Sequence, residues 1–126
     1  MQWPKSMQLI DANVILRCIL NDHPDMTSRA KEIIKNGAYT KPEVISEVVY
    51  VLQKVYSVQR PQIKEMISTV LLFVQCPDRK CILYALDLYS SISLDFVDCL
   101  LIAYHTLNGE SVFTFDKKMN KYLNTI

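Results

Sequence analysis

Glycine is scarce in this chain, with two residues in 126, and there are five prolines. With half of the residues apolar, this scarcity excludes disorder and low complexity and suits one compact domain with a real core. No apolar run is long enough to span a bilayer. The opening Met1-Gln2-Trp3-Pro4-Lys5-Ser6 lacks the apolar region of a signal peptide, so residues 1–6 read as a short extension, with Met7 an alternative start. The four cysteines form no C-x-x-C pair, and the two histidines do not complete a zinc pattern. Cys18 and Cys99 sit in apolar helical stretches and read as small core residues. Free thiols and a reducing cytoplasm are expected. A formal net charge of +1 announces no nucleic-acid partner, but clustering matters more than the total.

Within this frame, residues 1–126 read as a single domain of alternating strands and helices. Met7–Ile10 is a short apolar strand followed by a helix from Val14 to Leu20. Pro24 suits the first turn of the next helix, which stops at Asn36-Gly37, and Ala38–Thr40 reads as a short strand. Thr40 and Glu43 are spaced as a capping box for a helix reaching about Tyr56. Pro61 opens another helix, with Ile63, Ile67, Val70, Leu71 and Val74 on its apolar face. Cys81–Leu83 is either a strand or the start of the helix that runs to Ser91. The helix beginning at Asp95 is apolar on nearly every side, which predicts a buried central helix ending at Asn108-Gly109. A Val112–Phe115 strand and a final helix, Asp116 to about Leu123, complete the pattern. The predicted fold class is α/β: three layers, with a mostly parallel central sheet flanked by helices.

The chemistry rests on carboxylates at the ends of these elements. Asp11 and Asp116 each terminate a strand and precede a helix. Each could simply cap its helix, but two acids at strand carboxyl ends point jointly to a site. Asp98 enters the first turn of the apolar helix. It either stabilises that helix terminus or joins an acidic cluster, and Asp95 fits the capping role better. Glu47, at the edge of its helix's apolar arc, reads by spacing as a boundary residue in solvent. Asn13 either caps or orients Asp11. Thr114 shares a strand face with Asp116 and either holds a carboxylate or reflects ordinary strand propensity. Clustered like charges call for a divalent cation. Arg17, Lys117, Lys118 and Lys121 are either phosphate contacts or a solvated helix face. Tyr39, Tyr50 and Tyr56 could stack on bases, though core or dimer packing suits them better. His105 lies about 10 Å from Asp98 along the helix and reads as a surface or interface residue.

Taken together, these segments resemble a family. Leu9-Ile10-Asp11-Ala12-Asn13-Val14-Ile15 is similar to the opening of PIN-domain nucleases. Ser46-Glu47-Val48-Val49-Tyr50-Val51-Leu52 resembles the second acidic motif, Leu94-Asp95-Phe96-Val97-Asp98-Cys99-Leu100-Leu101-Ile102-Ala103 the third and Val112-Phe113-Thr114-Phe115-Asp116-Lys117-Lys118 the fourth. The resemblance covers about residues 7–123, and its nearest branch is the VapC-like toxins of toxin–antitoxin pairs. It implies a Mg²⁺- or Mn²⁺-dependent endoribonuclease, usually a homodimer, inhibited by an antitoxin protein. Its implied ligands are Asp11, Glu47, Asp98 and Asp116, with Asp95 ranked below Asp98 and Asn13 and Thr114 as accessory positions. The family commonly ends with one more edge strand, whereas only Asn124-Thr125-Ile126 follows the last helix here.

The chemistry implied is attack by metal-activated water, leaving a 5′-phosphate and a 3′-hydroxyl. Three other readings compete. One is a catalytically silent PIN-like interaction module, against which all four acids count. Another is a housekeeping RNA-processing nuclease, which the sequence does not separate from a toxin. The third is phosphoryl transfer through Asp11 as in dehalogenase-like phosphatases, which favour a second Asp where this chain has Asn13.

Overall fold

The computed structural model describes residues 6–124. The expected extension is therefore described only at Ser6, and the expected chain end only as far as Asn124. These residues divide into two compact units with a boundary between Pro77 and Asp78. They contain seven helices and a two-stranded parallel sheet, a helix-rich α/β arrangement.

The first unit carries β1 (Gln8–Leu9), α1 (Ala12–Leu20), α2 (Pro24–Asn36), β2 (Ala38–Tyr39), α3 (Pro42–Lys54) and α4 (Arg60–Phe73). Parallel strands need a crossover, and α1 with α2 supplies it. Gln8 pairs with Ala38 and Leu9 with Tyr39, and a bridge from Tyr39 to Gln75 extends the ladder. Helix α1 packs on α2, α3 and α4. The core between them includes Ile15, Ile45, Val48, Leu52, Ile63 and Ile67, all fully buried. The predicted stops hold: Gly37 ends α2 at φ 113°, a conformation few other residues adopt, and Pro24 and Pro42 stand at helix starts.

The predicted capping box at Thr40 and Glu43 does not form. Lys41 is the N-cap of α3 and makes no side-chain cap bond. The Thr40 hydroxyl is fully buried and donates instead to the Ile10 carbonyl, 3.0 Å away. A buried hydroxyl must find an acceptor, and the carbonyl at the end of β1 supplies it.

The second unit carries α5 (Arg79–Ser91), α6 (Phe96–Asn108) and α7 (Lys117–Leu123). Cys81–Leu83 lies within α5, so the helical alternative holds. Helix α6 packs on both α5 and α7. Tyr89 and Phe96, both buried, meet edge to face with centroids 6.0 Å apart. Helix α6 is not buried all round: Val97, Leu101 and Leu107 are exposed, while Cys99, Ile102 and Ala103 form its buried face. Gly109 ends it at φ 71°, as the sequence predicts.

The predicted Val112–Phe115 strand is not one among the described residues. Local side-chain bonds compete with a ladder here. The Asn120 amide donates to the Thr114 carbonyl at 3.0 Å, and the Asp116 N–H donates to the Thr114 hydroxyl at 3.1 Å. Phe113 and Phe115 are left exposed, edge to face with each other at 5.1 Å. The described cysteines are free thiols, and no described helix is long and apolar enough to cross a membrane.

Thr40→Val keeps the side-chain shape but leaves the Ile10 carbonyl without its hydroxyl donor. Urea denaturation should show a loss of about 1–2 kcal/mol with an unchanged slope. An unchanged midpoint would mean that this bond does not hold β1 in place.

Candidate functional site

In the first unit, the chain leaves β1 through buried Ile10 and reaches exposed Asp11, the N-cap of α1. One Asp11 carboxylate oxygen, Oδ1, accepts from the Val14 N–H at 3.1 Å. Capping is thus realised, and it engages Oδ1. Asn13 is exposed in the first turn of α1. Glu47 is exposed on α3 beside buried Val48 and Val49, as its spacing predicts.

Arg17, read as either a phosphate contact or part of a solvated helix face, is buried. Its guanidinium pairs with Asp22 at 3.0 Å, its side chain is 11% exposed, and its backbone carbonyl accepts from Thr27 at 3.0 Å. Arg17 therefore ties the end of α1 to the following turn and to α2. Tyr50 and Tyr56 are exposed, so neither serves the core of this unit.

In the second unit, the third and fourth motifs contribute three carboxylates, and Asp98 feels the charges of the other two. Asp95 is exposed at the N-cap position of α6 without a side-chain cap bond, and Asp98 follows in the first turn, half-buried. Asp116 is exposed and caps α7, its Oδ1 accepting from the Met119 N–H at 2.9 Å. Burial, then the negative charges of Asp95 and Asp116, push the Asp98 carboxyl above the ordinary carboxylate range. The dipole of α6 acts in the opposite sense, favouring negative charge at Asp98. The net upward direction shows that desolvation and repulsion win.

Lys117, Lys118 and Lys121 of α7 are all exposed. Lys118 donates to both the carbonyl and the hydroxyl of Ser93, in the turn between α5 and α6. Ser93 has no distinguishing mark in the sequence beyond belonging to a short serine-rich stretch ahead of Asp95. At the other end of α6, half-buried His105 bonds through Nδ1 to the Glu110 carbonyl at 2.7 Å. A carbonyl only accepts, so Nδ1 carries the proton and is unavailable as a ligand atom. Nearby, the Tyr104 hydroxyl donates to Asp78 at 3.3 Å, and burial with the Asp78 charge pushes its pKa up to about 12.

Among the described residues, no group of three or more His, Cys, Asp or Glu side chains is arranged to hold a metal ion. The donor chemistry nevertheless fits a hard divalent cation. The group consists of carboxylate oxygens, and no cation is among the charges acting on Asp98.

The PIN domain family model matches residues 9–123, which spans both units and all four acidic motifs. No curated protein matches the chain.

The upward shift of Asp98 has a stability consequence. A raised folded-state pKa means the folded protein holds the proton more tightly than the unfolded chain. Stability therefore falls as pH rises from the ordinary carboxylate range through the raised value. In EDTA, Asp98→Asn should melt above wild type at neutral pH, and the gap should close as pH falls through that window. A neutral-pH melting temperature below wild type would contradict this account of Asp98.

Proposed function

The chain belongs to the PIN domain family, whose fold is a nuclease fold, and from that premise we propose that it is a metal-dependent endoribonuclease. The observation that carries this reading is the set of carboxylates that the third and fourth acidic motifs place in one unit, where burial and then the charges of Asp95 and Asp116 push the Asp98 carboxyl up. An uncompensated group of carboxylates is costly, and a hard cation is the partner that relieves it. Asp11, Glu47, Asp98 and Asp116 are the proposed ligands for Mg²⁺ or Mn²⁺, with Asp95 in support. Held by these residues, such an ion would lower the pKa of the attacking water and offset negative charge on the phosphoryl and leaving oxygens.

The rest is work for the chain's own groups. Capping uses Oδ1 of Asp11 and of Asp116, so each backbone turn fixes the carboxylate it presents. The Thr114 hydroxyl accepts the Asp116 N–H and so fixes the approach to that residue, which is the accessory role proposed for it. Asn13 has the corresponding proposed role beside Asp11. Exposed Lys117 and Lys121 contact phosphates flanking the cut. Water attacks phosphorus, the P–O3′ bond breaks, and the products carry a 5′-phosphate and a 3′-hydroxyl.

The biological reading that fits best is the toxin of a toxin–antitoxin pair, acting in the cytoplasm as a homodimer and held silent by its antitoxin. The similarity of the four motifs to VapC-like toxins supports it.

Cleavage of mixed single-stranded and hairpin RNAs tests the activity. Cutting should require Mg²⁺ or Mn²⁺, stop in EDTA and leave 5′-phosphate ends. It should fall by more than about a hundredfold in Asp11→Asn, Glu47→Gln, Asp98→Asn and Asp116→Asn. Wild type and Asp98→Asn equally inert on every RNA, with no metal bound, would favour a catalytically silent interaction module.

A further inference from the structure

Lys118 occupies the first turn of α7, where the helix dipole disfavours a cation. Its position therefore contributes nothing to α7 by itself, and what it touches lies elsewhere. The ammonium donates to two oxygens of one residue, the carbonyl and the hydroxyl of Ser93. Ser93 stands between Ile92, which ends α5, and the Leu94-Asp95 pair that leads into α6. That turn is fixed on its far side as well, because Leu94 is buried and the Ile92 N–H bonds back to Leu88 at 2.8 Å.

Two residues before Lys118 is Asp116, and two residues after Ser93 is Asp95. The contact thus joins the two chain segments that deliver the repelling carboxylates. We infer that Lys118 is a positioning residue, whose bonds to Ser93 hold the start of α7, and with it Asp116, against the turn that delivers Asp95 and Asp98. The inference rests on the nuclease reading for its functional consequence, and it changes the role of Lys118 from phosphate contact to clamp. The Lys118 ammonium is exposed but engaged with two oxygens of Ser93, whereas Lys117 lies beside it on the exposed surface. Exposed contacts of this kind are individually weak, so the expected effect is graded rather than absolute.

Full-length wild type, Lys118→Met, Lys118→Arg, Ser93→Ala and Lys117→Met separate the possibilities. Amide hydrogen exchange in EDTA reads the clamp without metal. Lys118→Met and Ser93→Ala should each speed exchange at both Ser93–Asp95 and Lys117–Asn120, and Lys118→Arg should restore much of the protection. Mn²⁺ affinity should fall about three- to tenfold in Lys118→Met and Ser93→Ala. RNA affinity in EDTA, and its slope against salt, should stay at wild-type values in these two variants and fall in Lys117→Met. Unchanged exchange at both segments overturns the clamp, whatever the metal does. A Lys118→Met variant that loses RNA affinity and salt slope while keeping Mn²⁺ affinity returns Lys118 to phosphate contact. Wild type that binds no Mn²⁺ overturns the metal-dependent reading, while the exchange result still decides the clamp.

Discussion

Asp95, Asp98 and Asp116 carry like charges within one small helical unit, and nothing in their own chemistry favours that arrangement. Two helix starts supply part of what holds it. Asp98 rides on the first turn of α6, whose dipole favours negative charge, and Asp116 is fixed by its cap bond to Met119. The helix termini do not remove the repulsion, because Asp98 still has its carboxyl pushed upward. With Asp98 raised in this way, a neutral side chain there is expected to stabilise the unit at neutral pH, and a bound cation would do the same. This is the trade expected where a site, rather than the fold, sets the residue type.

Capping and ligation are not rival explanations for Asp11 and Asp116. Each acid uses one oxygen to satisfy an N–H at the start of a helix. The cap fixes the side chain, and a carboxylate with a fixed side chain is a better ligand than one free to rotate. The arrangement around Thr114 extends the same logic. Its hydroxyl and carbonyl are both taken by the start of α7, so the segment before Asp116 is held by side chains rather than by a ladder.

What could be read in the sequence follows from local physics. Glycine at positive φ ended α2 and α6, proline opened α2 and α3, and two aspartates capped α1 and α7, because each of these effects acts within one turn. The family was legible because four short acidic motifs occur in order, and a family match over residues 9–123 bears it out. What failed was decided by side-chain partners that spacing alone does not reveal, some near in sequence and some far. Thr40 looked like a cap because its spacing to Glu43 is right, yet a carbonyl 30 residues upstream claims its hydroxyl. Arg17 could be a phosphate contact or a surface cation by sequence, but its side chain is buried and pairs with Asp22. Val112–Phe115 has strand composition, but composition does not supply a partner, and the local bonds of Thr114 prevail. The contact of Lys118 with Ser93 spans 25 residues and left no mark in either segment.

The central claim is that the carboxylate group awaits a hard divalent cation. Thermal melting of the full chain across a Mn²⁺ titration, with Asp98→Asn alongside, tests it most directly. The account predicts that the wild-type melting temperature rises with Mn²⁺, as it must when an ion binds only the folded state, and that Asp98→Asn, already relieved of repulsion, rises far less. Wild type that fails to respond, or a mutant that responds as strongly as wild type, would contradict it.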